Sequence, residues 1–173
     1  MTKKTTVLLV IVVVLLVVGL LTFRGPKPLY GNDKESIVKV IRSLKGYEDK
    51  WIEVVDYKDV DDGRMVGFLS NQSPGYIHFQ KNEDGNYLWR HMEVADGKRF
   101  GVFTAELPMF IIVTNHKSKV ARMQLSVNGQ IVEQDFTPDQ ASVTWVEFPK
   151  SENNEYTFRN YSYYDQDGNI MNE

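Results

Sequence analysis

VARMQLSVNGQIVEQDF, residues 120–136, decides the fold class. At its centre stands Asn128-Gly129, the pair suited to a two-residue hairpin turn that needs positive φ at both positions. The runs 120–127 and 130–136 on either side therefore read as paired strands. Towards the C-terminus, 143–148 and 156–164 predict two more strands, and Asp165-Gln166-Asp167-Gly168-Asn169 predicts a turn. Tyr156 and Phe158 lie in one phase of strand alternation, and Tyr161 and Tyr163 in the other. The strand is therefore expected to bulge near Arg159-Asn160. Towards the N-terminus, 110–114 reads as a buried strand, and Pro108 marks a break before it.

Upstream of that break the same signals recur. Strands are expected at 51–57, 65–69, 76–81, 87–94 and 100–104, with turns at 59–63, 71–75 and 82–85 and at Asp96-Gly97. Short strands at this spacing mark an antiparallel meander. Before them, Ile37, Val40, Ile41 and Leu44 recur at helical spacing. Asn32 or Asp33 starts this helix; Asn32 with Glu35 has capping-box spacing, and Gly46 is expected as the C-terminal cap. Lys34, Lys39, Arg42 and Lys45 fill the polar face. The apolar stripe is short, so the helix should lie against a sheet rather than on a membrane.

Thr5 to Phe23 carries no charge, and residues 7–21 are Val, Leu and Ile apart from Gly19. Nineteen helical residues reach about 28 Å, close to the hydrocarbon thickness of about 30 Å. A cleaved signal peptide needs small residues at a site beyond the run, whereas Phe23 is followed by Arg24-Gly25-Pro26-Lys27-Pro28. The reading is an uncleaved transmembrane anchor in contact with the bilayer through residues 5–23. Lys3, Lys4 and the N-terminal amine place the N-terminus in the cytoplasm, although Arg24 and Lys27 follow the span at once. The C-terminal part is then extracytoplasmic, at the cell membrane.

The expected layout is a mainly β (α+β) chain. A cytoplasmic stub and anchor (1–23) and a proline-stiffened spacer (24–32) precede a helix with a meander (33–107). A second β group (108–173) completes a sheet or sandwich. Whether the two groups share one core stays open, since each alone would be marginal.

Charge and composition exclude several functions. After the span, 18 of the 20 basic residues stand against all 23 acidic ones, a net charge of −5, which argues against nucleic acid. With no cysteine, a lipoprotein anchor and a thiol nucleophile are both excluded. There is no Gly-x-Ser-x-Gly, no phosphate-cradling glycine loop and no His-Glu-x-x-His. No catalytic residue and no cofactor is assigned. A carboxylate pair drawn from Glu53, Asp56, Asp96, Glu106 and Glu147 is the one enzymatic constellation left open.

Metal ligands are sparse. A two-residue turn at Asp84-Gly85 would set His78 opposite His91. A three-residue loop with left-handed Gly85 instead pairs Phe79 with Trp89 and Ile77 with His91, and aromatic cross-strand pairing favours that register. Neither acidic turn fits an EF-hand loop. Asp59, Asp61 and Asp62, with Asp56, are weak candidates for irregular calcium binding, so no metal is assigned. Aromatic residues are the most distinctive feature, and Tyr161, Tyr163 and Trp89 are the candidate ligand-binding rings.

Lys3-Lys4, the span, a short capped helix, a meander and the closing Asp165–Asn169 turn together resemble small uncharacterised membrane-anchored surface proteins of Gram-positive bacteria. The resemblance implies an architecture and a cell type, and no activity. The expected function is a non-enzymatic, membrane-tethered binding or accessory module of the cell envelope, with a membrane or envelope protein as partner. Two rival expectations are a hydrolase of envelope polymers and a structural or assembly subunit of a membrane complex.

Overall fold

The computed structural model of the chain describes residues 28–105 and 107–171, together with Val13. The expected span at 5–23 lies outside them apart from that residue. Among the described residues, no helix is long and apolar enough to cross a membrane. One helix, α1 (Lys34–Ser43), precedes eleven strands: β1 (Ile52–Val60), β2 (Gly63–Ser70), β3 (Ser73–Lys81), β4 (Tyr87–Val94), β5 (Phe100–Thr104), β6 (Met109–Thr114), β7 (Arg122–Val127), β8 (Gln130–Asp135), β9 (Ser142–Glu147), β10 (Phe158–Tyr164) and β11 (Ile170–Met171). Residues 28–171, as described, are thus mainly β with one short helix.

The helix is capped by Asp33, whose carboxylate accepts the Ser36 N–H at 2.8 Å while the Ser36 hydroxyl accepts the Asp33 N–H at 2.9 Å. That bond holds the Asp33 carboxyl below its usual range. Ser36 therefore fills the capping role expected of Glu35. The helix also stops earlier than expected: Leu44 is already extended, and Gly46 takes positive φ two residues further on.

Every strand pair is antiparallel. Sheet I has the order β1-β2-β3-β4, sheet II the order β5-β6-β9, and sheet III the order β11-β10-β7-β8. Strand alternation sorts the core into three interfaces. Ile37, Val40 and Ile41 of α1 pack on Val66, Phe68, Ile77 and Phe79 on one face of sheet I. On its other face, Met65, Leu69 and Tyr76 meet Phe103, Met109, Ile111 and Val113 of sheet II. The far face of sheet II presents Phe100, Phe110 and Ile112 to Met123, Leu125 and Val127 of sheet III. The result is a four-layer stack of helix and three sheets. It explains why every residue of β6 is buried, since that strand is covered on both faces. The break expected at Pro108 lies between β5 and β6, which pair with one another, and residues from both sides of it share the middle core.

Glycine permits a close approach between sheets I and II. A Cβ on Gly67 would run into the Val143 side chain of β9.

The turns refine the expected boundaries. Asp61-Asp62 closes β1 on β2, with Val60 opposite Gly63, so the turn is shorter than 59–63. Asn71 and Gln72 adopt φ of 48° and 72° and close the next hairpin alone. Ser73-Pro74-Gly75, expected as turn, opens β3 instead. Pro74 stands opposite Leu69, next to the closing Ser70–Ser73 pair. In a two-residue hairpin that position makes no cross-strand bond, so its missing N–H is tolerated.

The β3–β4 hairpin has the expected three-residue loop, with Gly85 at φ 82° and its N–H on the Asn82 carbonyl at 3.0 Å. Phe79 pairs with Trp89 as expected. A bulge then takes up Arg90, so His91 falls opposite His78 and Met92 opposite Ile77, correcting the expected Ile77–His91 pair. In β10 the register shifts between Arg159 and Ser162, with Asn160 at φ 57°, where alternation called for a bulge. Both Phe158 and Tyr163 consequently reach the core.

Candidate functional site

The connection from β5 to β6 borders two depressions, and a third lies along β5. The largest, about 490 Å³, is lined by Thr104, Leu107, Pro108, Phe148, Asn154, Tyr156 and Phe158. Its rings are ordered: Tyr156 and Phe158 are parallel within 9°, 6.5 Å apart, with Phe148 at 4.9 Å from the first and 5.1 Å from the second. Phe110 supports them from the core, 4.6 Å from Phe148. An apolar ring surface beside the Thr104 hydroxyl and Asn154 amide suits a ligand with a flat or apolar face and a few polar groups.

This aromatic depression depends on the hairpin turn that defines the fold. The Asn128 amide donates to the Glu155 carbonyl at 2.9 Å, and its side-chain oxygen accepts the Thr157 N–H at 2.8 Å. The Asn128 N–H also donates to the Thr157 carbonyl at 3.0 Å. Tyr156 is thereby gripped on both sides. Ser151 holds the preceding loop, donating to the Glu155 carbonyl at 2.9 Å.

On the other side of the connection lies a depression of about 230 Å³ with Asp61, Asp62, His78, Gln80 and Leu107 in its lining. Of the candidate calcium ligands, Asp61 and Asp62 are here. Asp59 is occupied elsewhere: Arg64 donates to both its carboxylate oxygens, at 2.7 and 2.8 Å, and the Tyr87 hydroxyl adds a bond at 3.1 Å. The Arg64 hydrogen bonds hold the Asp59 carboxyl below the usual range. No group of three or more potential metal ligands occurs among the described residues.

A third depression, about 340 Å³, follows β5 and is lined by Glu93, Val102, Thr104, Phe110, Tyr161 and Tyr163. Two of the three candidate rings thus meet in one place. Tyr161 is 43% exposed, and the partial burial of its hydroxyl raises its pKa. Tyr163 packs its ring 5.2 Å from Phe100. Trp89, also 43% exposed, lies on β4 outside all three depressions.

The acids weighed as a carboxylate pair have separate neighbours. Glu53 lies 3.2 Å from His116, Asp96 accepts from Ser73 at 3.3 Å, and Glu147 is 3.9 Å from Lys58. Asp56 is exposed on β1, and Glu106 lies outside the described residues.

Sequence reasoning missed Arg64. This side chain is 7% exposed and lies between the rings of Tyr57 and Tyr87, 4.5 and 4.0 Å from their centroids. Besides Asp59, it donates to the carbonyls of Gly31 and Asn32 at 3.0 and 2.7 Å. Gly31 in turn donates to the Tyr87 carbonyl at 2.8 Å, and the Asn32 side chain accepts the Tyr87 N–H at 3.0 Å. The chain is pinned to sheet I where the spacer ends. A signal was present: the Asp61-Asp62 turn places Asp59 opposite the one charged residue of an otherwise uncharged strand.

No protein-family model, curated protein or solved structure matches the chain.

Proposed function

We propose that the chain is a membrane-tethered, extracytoplasmic binding module that engages an envelope component through the surface around the β5–β6 connection. The aromatic depression carries this reading. Three rings in fixed mutual geometry, with hydroxyl and amide groups beside them, form a recognition surface without requiring any bond to be made or broken. The uncharged run at 5–23 supplies the tether. Seven residues separate Phe23 from the pinned Gly31, eight Cα-to-Cα steps and at most about 28 Å of extended chain. That keeps the site within reach of components at the membrane surface.

The test is a photo-crosslinking amino acid placed at Tyr156 in the full chain, in living cells. A discrete adduct from this position, absent when the same group replaces exposed Ile131 on β8, is expected. Equal adducts from both positions, or none from Tyr156, would contradict the reading.

A further inference from the structure

The three sheets are not equally wide, and the difference leaves a slot. Among the described residues, sheets I and III have four strands each and sheet II has three. Their packing runs in order: β1 lies on β9, β2 on β6, and β3 on β5 and β6. β4 therefore reaches past the edge of the middle layer. On the opposite side, β10 packs against β5 and β6 through the Phe100–Tyr163 and Phe110–Phe158 contacts. The depression lined by Glu93, Val102, Thr104, Tyr161 and Tyr163 is the place a fourth strand of sheet II would occupy.

The backbone at its floor has the matching polarity. The Asn115 N–H donates to the Arg99 carbonyl at 3.0 Å, which makes 99 and 115 a hydrogen-bonded pair of the β5–β6 ladder. Antiparallel pairs alternate, so Gly101–Val113 and Phe103–Ile111 also bond across, while Val102, opposite Ile112, directs its N–H and carbonyl away from β6. They face the slot. Its two walls differ. From β4 comes Glu93, about half exposed and 2.7 Å from the neighbouring His91; from β10 come Tyr161 and Tyr163.

We propose that this slot binds an extended segment of a partner protein, added to sheet II as a strand beside β5. The segment's alternate side chains would face Glu93, where a lysine or arginine is complementary, and the tyrosine wall, where an apolar residue is. A second copy of the domain is the wrong shape. Its own β5 is recessed between its outer sheets, and two recessed edges cannot approach to the 4.8 Å that strand pairing needs. A free, extended segment can. The inference goes beyond the binding reading above by adding a second site, along β5, with its own kind of partner.

The experiment uses the full chain in lipid nanodiscs and a phage-displayed library of random nine-residue peptides. Peptides alternating apolar and polar, with a basic residue on one face, should be enriched. Their affinity should fall about tenfold for Val102→Pro, which removes the slot-facing N–H and leaves the β6 ladder intact. Glu93→Lys alters an exposed side chain, so the fold is retained, and it should abolish the preference for the basic residue. Three results would overturn the proposal: no enrichment, peptides indifferent to both variants, or self-association of the free chain that Val102→Pro abolishes, which would assign the slot to a second copy. Any of these, with the Tyr156 crosslink retained, removes the slot and leaves the binding reading standing.

Discussion

At the scale of single residues, two side chains do work that their types alone do not reveal. Asn128 supplies a positive φ to its turn and grips the segment carrying Tyr156. Asn128→Gly should separate these roles, preserving the β7–β8 hairpin while losing the bonds to Glu155 and Thr157, at about 1–2 kcal/mol in urea denaturation. Gly129→Val attacks the turn itself. With φ at 82°, a β-branched residue is strained there, and about 1–3 kcal/mol of destabilisation is expected. An unchanged melting temperature would contradict the turn. Arg64→Met strips two carbonyls and Asp59 of their donor and should cost about 2–3 kcal/mol. The Asp59 pair also sets an acid limb. Arg64 hydrogen bonding depresses the folded-state pKa of Asp59, so this stabilisation is present above the unfolded value of about 3.9 and is lost as pH falls through the folded value. The stability difference between wild type and Asp59→Asn should therefore narrow below about pH 4. A constant difference down to pH 2 would assign the acid limb to other groups.

At the scale of elements, what sequence made visible was local, and what it hid was set by neighbours. The Asn128-Gly129 hairpin, the alternation clash that demands a bulge in β10 and the helix stripe of Ile37, Val40 and Ile41 all follow from spacing within one segment. The start of β3 did not. Ser73-Pro74-Gly75 has turn composition, yet Asn71 and Gln72 together satisfy the turn, and Pro74 falls where the ladder needs no donor. The bulge at Arg90 was hidden because the loop length and the Phe79–Trp89 pair both fit without it. The aromatic depression was hidden for a similar reason. Phe148, Tyr156 and Phe158 come from separate strands and loops and meet only after sheets II and III pack. Packing between sheets I and II is testable through Gly67. Gly67→Ala should cost about 1–3 kcal/mol by overpacking against Val143, and Val143→Ala should recover much of that loss in the double variant. Additive losses would mean that the two sheets are not in contact there.

At the scale of the whole molecule, the proposed function requires a four-layer domain carried on a tether at residues 5–23. Shared cores from α1 through sheet III imply that the described region unfolds as one cooperative unit. A fragment of residues 28–173 should be soluble and show a single thermal transition, whereas two resolved transitions would divide the stack. That unity was the least legible feature in sequence, because β5 and β6 pair across the break at Pro108. The central proposal is that this domain stands outside the cytoplasm on an uncleaved span. The absence of cysteine makes the test direct, since Ile131→Cys, at a position 69% exposed on β8, introduces the sole thiol. In spheroplasts expressing the full chain, a membrane-impermeant maleimide should label this thiol as fully before lysis as after it, in the membrane fraction. Labelling that appears only after lysis would place the domain in the cytoplasm and contradict the account.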